Sequence, residues 1–546
     1  MTRLTRRAVL IVLLFLASLP RPARADSGGD AAAADACERL TSLALADGVV
    51  TAAQVVEAGA FTPPAAARGS DGNGGIGGNA RASANAATGA AAAYGALPAF
   101  CRVTATLTPS RGSGIAIEVW LPAATWNGKF QAVGNRGWGG SIGYPALGAA
   151  VAAGYAAAAT DTGHTGSGAR FALQQPEKVI DAGSRAVHAM TVQAKTIIAA
   201  FYDRAPARSY WNGCSLGGRQ GLAEAQRYPE DYDGIIAGDA ANDVTHLYAA
   251  RLAVAQAIRR APGSEIPVEA FPLIHTAVLA ACDALDGVTD GVIEDPTRCR
   301  VEPALQAIAC KGDDAPRGDA PSCLTAPQIE SARALYAPVA HPKTGALLAH
   351  GREPGSELGW SAVAGPQPEN NAVDLFAYVI FGDAGWDWRA FDLARDVDTA
   401  DRTHAAILNA TDANLAAFFA RGGKLLLYHG WADPQTPPRG SIDYYQRVVR
   451  AAGAKTANRG VRLFMAPGMG HCEGGDGPDR FDKVAALDAW VETGAAPARI
   501  VASRVKNGAV DRTRPLCPYG AVARWNGAGS TDDAASFTCV IPADAR

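Results

Sequence analysis

The strings in this chain best suited to chemistry lie far apart. From Tyr210 to Gly221 it reads YWNGCSLGGRQG, which sets Ser215 in a G-x-S-x-G frame with Cys214 directly before it. A serine hydroxyl is a weak nucleophile until a base takes its proton. Small flanking residues let it sit on a tight strand-to-helix turn with the hydroxyl exposed. Downstream, LLLYHGWADPQTPP ends a strand-like run with Asp433 in its turn, and LFMAPGMGHCEGG ends the next with His471 in its loop. Serine, then acid, then histidine is the order of an α/β-hydrolase triad. Ser215 would be the nucleophile, His471 the base, and Asp433 the group that orients the imidazole and stabilises its cation. His429, His164 and His188 compete for the role of base. His429 lies before the turn and His188 within a helical stretch, where surface or packing roles are expected.

Cys214 precedes the serine and Cys472 follows the histidine. If these two bond, their Cα atoms lie within about 7 Å, and each functional neighbour is one Cα step of about 3.8 Å away. Such a bridge would hold the serine loop and the histidine loop within hydrogen-bonding reach. The chain has ten cysteines and no C-x-x-C pair, which in an exported protein favours disulfides over zinc. Connectivity is not fixed by spacing, but Cys282 with Cys299, Cys310 with Cys323, Cys517 with Cys539 and Cys37 with Cys101 are plausible local pairs, leaving Cys214 and Cys472.

In CDALDGVTDGVIEDPTRC, Asp283, Asp286 and Asp290 cluster between two cysteines. Carboxylate oxygens at this density suit Ca²⁺, with backbone carbonyls filling the shell. It is not an EF-hand: Glu294 falls at the twelfth position from Asp283, but Val288 occupies the sixth, where that loop needs glycine. The Gly-rich FQAVGNRGWGGSIGY follows a strand-like run. It could offer the second N–H of an oxyanion hole, the first being that of Leu216.

The elements that must position these residues read as an α/β sheet. CRVTATLTP and GIAIEVWLP alternate apolar and polar residues, as antiparallel strands do. KFQAVGN, AAAATDTG, YWNGCS and YDGIIAGDA are short runs with helical stretches between them, such as Ala186 to Tyr202. From about Asn242 to Ala405 the pattern loosens, then strand texture returns. The expected division is a signal peptide at 1–25, a first core part at 26–241 with a Gly/Ala-rich flexible loop near 66–97, an inserted lid at 242–405, and a second core part at 406–546. In open α/β sheets ligands sit beyond the carboxyl ends of the strands, where such an insertion would emerge.

Arg3, Arg6 and Arg7 precede the apolar run AVLIVLLFLASL, and Ala23-Arg24-Ala25 fits a cleavage site before Asp26. This reads as a secretory signal, so a secreted or periplasmic location is expected. No later stretch reads as long and apolar enough to span a bilayer. A formal net charge of -3 over 546 residues leaves no electrostatic footprint for nucleic acid or an anionic membrane.

At these residues the chain resembles the tannase and feruloyl esterase family, which includes the mono(2-hydroxyethyl) terephthalate hydrolases. The paired GCSLGG and GHC are its most specific mark; ATDTGH, YHGWAD and CDALDGVTDGVIEDP are similar to family motifs. The resemblance implies an α/β-hydrolase core with a large inserted lid that binds structural Ca²⁺. It implies Ser215, Asp433 and His471 as the triad, and a disulfide joining Cys214 and Cys472. Asp283, Asp286 and Asp290 with the carbonyls of Val288 and Val292 would be the calcium ligands. The family loop N-G-G is here Asn135-Arg136-Gly137, and Gly137 is favoured as the second oxyanion donor. Trp360, Phe376, Trp386 and Trp388 could shape a pocket for a planar aromatic acid.

The expectation is an exported serine esterase acting on small esters of hydroxycinnamic or gallic acids, with no organic cofactor and no nucleic-acid or membrane partner. Its rivals are a terephthalate-monoester or other small aromatic carboxylesterase, a peptidase on the same core, and a non-catalytic secreted binding protein on a hydrolase scaffold.

Overall fold

Short, mostly apolar runs make the centre of the sheet, because strands covered on both faces have no water-facing side to keep polar. In a computed structural model, which describes residues 27–64, 93–311 and 321–542, these runs are β5 (Lys129–Val133), β6 (Ala156–Thr160), β7 (Arg208–Cys214), β8 (Gly234–Gly238), β11 (Lys424–Gly430) and β12 (Val461–Ala466). Four strands precede them: β1 (Ala44–Leu45), β2 (Gly48–Val56), β3 (Phe100–Leu107) and β4 (Ile115–Pro122). The sheet has ten strands in the order β1-β2-β3-β4-β6-β5-β7-β8-β11-β12. It is antiparallel from β1 through β4 to β6 and parallel from there to β12.

The two-residue period of a strand sorts the core into two halves. Along β11, Leu425 and Leu427 join Phe130, Trp211 and Leu463 on one face, and Leu426 and Tyr428 join Trp120, Tyr210 and Phe464 on the other. Helices α3 (Ala186–Tyr202), α4 (Leu216–Arg227) and α9 (Pro438–Gly460, broken at Gly453) cover the first face. Helices α2 (Tyr144–Ala152) and α10 (Lys483–Thr493) cover the second, and α1 (Ser27–Arg39) packs at the sheet's antiparallel end.

The chain between β8 and its parallel neighbour β11 leaves the sheet at the carboxyl end of β8. It carries α5 (Val244–Ala257), α6 (Phe271–Cys282), α7 (Ala326–Tyr336), α8 (Leu393–Thr403) and the short hairpin β9 (Val339–Ala340) and β10 (Leu347–Ala349). Two apolar clusters hold it together, one around Phe376 and Val397 that it shares with Ala169 and Val179, the other around Phe271, Leu305 and Trp360. The second corrects an expectation about bilayer-spanning stretches: Val268–Asp286 is long and apolar enough by length and composition to cross a bilayer. Here its apolar side chains Phe271, Ile274 and Val278 are buried against Trp360, and His275 pairs with Glu357 at 2.9 Å.

Two antiparallel hairpins close the chain, β13 (Ile500–Lys506) with β14 (Ala509–Leu516), and β15 (Val522–Trp525) with β16 (Phe537–Val540). They reach back to the inserted chain. Arg514 pairs with the Asp290 carboxylate, Arg512 Nη1 donates to Asp290 O at 2.9 Å, and Ala523 N–H donates to Glu294 Oε1 at 2.9 Å. Five disulfides join Cys37 to Cys101, Cys214 to Cys472, Cys282 to Cys299, Cys310 to Cys323 and Cys517 to Cys539. The segment 1–25, and all of the Gly/Ala-rich stretch near 66–97 before residue 93, lie outside the described residues.

Candidate active site

Ser215 occupies the turn between β7 and α4 with φ 62° and ψ -120°, a left-handed conformation that non-glycine residues seldom adopt. The glycines of its frame answer a close approach. A Cβ on Gly213 would lie 2.3 Å from Gly217 O, and one on Gly217 would lie 3.0 Å from Gly134 Cα and 3.2 Å from Asn135 O. The turn is tied down from below: Ser215 N–H donates to Gly238 O at 2.9 Å, and the core indole of Trp211 donates to Gly217 O at 2.8 Å.

The loops after β11 and β12 bring the other two residues to it. His471 Nε2 lies 2.8 Å from Ser215 Oγ, and His471 Nδ1 lies 2.6 Å from Asp433 Oδ2. Asp433 Oδ1 accepts the amides of Gln435 at 2.7 Å and Thr436 at 3.0 Å. Burial alone would favour the neutral acid. The positive field of His471 and hydrogen bonds from His429 and His471 outweigh it and hold Asp433 well below the usual carboxylate range. Cys214 and Cys472 are bonded, with Cα atoms 6.0 Å apart. This arrangement can remove the serine proton as the hydroxyl attacks and return it to a leaving group.

For an oxyanion, Leu216 N–H lies in the first turn of α4, where no intrahelical acceptor exists and the helix dipole is positive. The loop 134–137 packs directly on that turn through Gly217 N–H to Asn135 O at 2.9 Å. Gly134 N–H is held by Asn212 O and Asn135 N–H by Gln220 Oε1, both at 3.0 Å. Among the described residues, no such partner is seen for the amides of Arg136 and Gly137. Arg136 also reaches Glu473 at 3.4 Å, linking this loop to the histidine loop.

The rival histidines have other surroundings. His188 Nδ1 meets Asp231 Oδ2 at 2.6 Å, with its ring stacked on Tyr228. His164 is buried against Phe171, and burial pushes it down to about 4. His429, which the sequence reading set aside, is fully buried with Nε2 3.2 Å from Asp433 Oδ2. Beside it, burial raises the Asp239 carboxyl to about 6. The available sequence signal was the four-residue spacing from His429 to Asp433, read only as a strand end.

Of the aromatic residues proposed for a pocket, Trp360 is buried between Phe271 and Tyr336, with Nε1 donating to Ser356 Oγ at 3.0 Å. It is core of the inserted chain. Phe376, Trp386 and Trp388 belong to the other cluster. That cluster also contains Trp138, directly after the loop 134–137, and Tyr248 on α5, whose ring centroids lie 6.0 Å apart.

Asp283, Asp286 and Asp290 share one tight loop. Asp283 accepts Asp290 N–H at 3.2 Å and Gly291 N–H at 2.9 Å, Asp286 accepts Val288 N–H at 2.9 Å, and Asp290 accepts Val292 N–H at 3.2 Å. Asp290 also answers Arg514. Burial, then the charges of Asp290 and Asp283, raises Asp286. Nearby Glu294, raised by burial to about 7, has its Oε2 buried without a hydrogen-bond partner. The donors of this loop are all oxygen, the atom type a hard dication takes.

A family model described as tannase and feruloyl esterase matches residues 101–540. The chain is 38% identical to an uncharacterised esterase of Xanthomonas campestris pv. campestris over 93% of this chain and 92% of that one. It is 33% identical to a probable feruloyl esterase B-1 of Aspergillus flavus over 81% and 86%. The crystal structure of feruloyl esterase B from Aspergillus oryzae superposes with a TM-score of 0.82 at 27% identity, covering 93% of this chain and all of that one.

Proposed function

Since the chain belongs to the tannase and feruloyl esterase family and is a carboxylic ester hydrolase, we propose that it is an exported serine esterase acting on esters of aromatic acids, with feruloyl or galloyl esters as its substrates. The observation that carries this reading is the unbroken line from Ser215 Oγ to His471 Nε2 at 2.8 Å and from His471 Nδ1 to Asp433 Oδ2 at 2.6 Å. His471 takes the Ser215 proton as Oγ attacks the ester carbonyl. The oxyanion forms against Leu216 N–H and the Gly137 amide. His471 then protonates the leaving alcohol, and water, activated by the same imidazole, frees the acid from Ser215. Asp433 remains ionised throughout and balances the imidazolium.

The residues 242–405 would act as a lid that shapes the acyl pocket, and the cluster containing Trp138 and Tyr248 offers planar apolar walls for an aromatic acid. A terephthalate monoester would bring a second, free carboxylate and require a cation to meet it. Arg389, beside Trp388 in this segment, is exposed and already paired with Asp387 at 3.2 Å. Asp283, Asp286 and Asp290 with the carbonyls of Val288 and Val292 would hold Ca²⁺, which when bound supplies fixed positive charge to the acidic loop. Five disulfides support an oxidising, extracytoplasmic location.

Steady-state kinetics on methyl ferulate, methyl gallate and the terephthalate monoester test the substrate class; a kcat/KM led by the terephthalate monoester would overturn it. Ser215→Ala should lower kcat by about 10⁶-fold and abolish fluorophosphonate labelling. Retained turnover would exclude this serine.

A further inference from the structure

His429 is the penultimate residue of β11, four before Asp433, and its ring is fully buried. Both ring nitrogens are engaged. Nδ1 lies 2.7 Å from Ser441 Oγ on α9, and Nε2 lies 2.8 Å from Thr436 O and 3.2 Å from Asp433 Oδ2. A main-chain carbonyl only accepts, so Nε2 carries a proton aimed at the fork between Thr436 O and Asp433 Oδ2. Oδ2 is the same oxygen that meets His471 Nδ1. One carboxylate oxygen therefore receives two imidazoles, one from the strand beneath it and one from the loop beyond β12.

The two imidazoles differ in what they can do. His471 must alternate between neutral and cationic as protons pass to and from Ser215, and its side chain is partly exposed. His429 is sealed in and has no route to the substrate. Its N–H can stay on Oδ2 at every stage, which fixes the carboxylate's rotamer and opposes protonation of the oxygen that His471 needs.

We propose that His429 is a positioning residue for hydrolysis: through Nε2 it holds Asp433 Oδ2 oriented and unprotonated, so that the acid's alignment does not depend on the state of the base. This rests on the triad reading above.

The charged and titratable groups around His429 agree with such a role. Asp239, at the end of β8, has Oδ1 3.6 Å from His429 Nε2 and accepts Gly430 N–H on that oxygen at 3.0 Å. Asp433 faces the ring from the loop after β11, and His471 lies beyond it; Arg251 on α5, Arg352 and Lys483 act on the two acids from further away. Burial pushes His429 down, but Asp239 and then Asp433 outweigh it and the net direction is up.

The test compares His429→Phe, His429→Gln, Ser441→Ala and Ser215→Ala in the full-length protein, reading kcat, KM, the pH profile of kcat/KM and thermal melting. His429→Phe should lower kcat by about 10- to 100-fold, the range found when the hydrogen-bond partner that orients a metal ligand is removed, with KM changed less than about twofold. Its acidic limb should move to higher pH, because the Oδ2 charge is then felt by His471 alone. His429→Gln, which keeps an N–H donor, should recover most of the loss. Ser441→Ala, which releases Nδ1, should lower kcat and move the limb in the same direction to a smaller extent. A folded His429→Phe with unchanged kcat and pH profile overturns the proposal, as does a Gln variant no better than Phe. If the Phe variant does not fold, an unchanged profile in Ser441→Ala overturns it. An active Ser215→Ala would instead bring down the triad reading itself, so the two failures are distinguishable.

Discussion

Removing the Cys214–Cys472 bridge should damage catalysis far more than the other disulfides would. Ser215 leaves β7 and the histidine loop leaves β12, three places along the sheet. At about 4.8 Å per strand, those strand ends lie roughly 14 Å apart, yet Ser215 Oγ and His471 Nε2 are 2.8 Å apart. The loop after β12 must therefore overhang β11 and β8, and the bridge pins its far end. By chain entropy, a link across 258 residues contributes up to about 5.5 kcal/mol. The Cys37–Cys101 link, across 64, contributes up to about 4.3 kcal/mol. The two double variants, Cys214→Ala/Cys472→Ala and Cys37→Ala/Cys101→Ala, should thus melt at broadly similar, lowered temperatures. Their kinetics should differ. A displacement of about 1 Å in a reacting pair lowers the rate by about 100-fold, so the first variant should lose kcat on that scale while the second stays within about twofold. Alanine is the right replacement, because Asp239 Oδ2 lies 3.4 Å from Cys214 Sγ and a serine hydroxyl there would form a new hydrogen bond. Initial rates on methyl ferulate, taken well below each melting temperature, give the answer. Unchanged kcat in the first variant, or an equal loss in both, would refute the reasoning.

Gly134→Ala should lower kcat by about 10-fold or more with the protein still folded, because the new Cβ would lie 2.5 Å from Gly217 Cα and must push the oxyanion loop off the first turn of α4; kinetics with a melting curve check it. Asp433→Asn should reduce kcat by about 10⁴-fold while KM changes little, measured on the same ester. Burial opposes the charge on His275, but the hydrogen bonds it donates to Asp476 and Glu357 raise it to about 9. Its folded value is above the ordinary one, so its stabilisation is full below about pH 6.5 and is lost as pH rises through 9; His275→Gln should cost about 1 kcal/mol at pH 6, after allowing for solvent at Asp476, and nearly nothing at pH 10 by denaturant titration. Chelation should lower the melting temperature while leaving kcat at 25 °C nearly unchanged, and Asp286→Asn should reproduce the effect and remove the response to added Ca²⁺ in calorimetry.

What could be read from the residues was what depends on near neighbours in sequence. The runs around Leu425–Leu427 and Ile235–Ala237 declare buried strands by composition alone, and Gly213 and Gly217 declare the serine turn because a Cβ at either would strike backbone. The cysteines flanking Ser215 and His471 bring two distant turns together from sequence alone. What depends on packing between distant segments was out of reach. His429 looked like a strand residue short of the turn, because nothing local says that Ser441 and Thr436 will close around its ring. Trp360 fitted a pocket wall or the core of its own segment equally, because an indole in a loosely patterned region reads the same whether it faces a ligand or Phe271. In the loop 134–137, the amides of Gly134 and Asn135 are taken up only by Asn212 and Gln220, which lie on other elements.

The salt bridge from Arg514 to Asp290 spans most of the way from the middle of the chain to its end. A nascent chain emerging N-terminus first makes the acidic loop long before its guanidinium partner exists. The inserted region must therefore wait, incompletely fastened, until the last hairpins have been synthesised. Truncations that remove β14 onward should yield a protein whose sheet forms but whose middle segment is open to proteases.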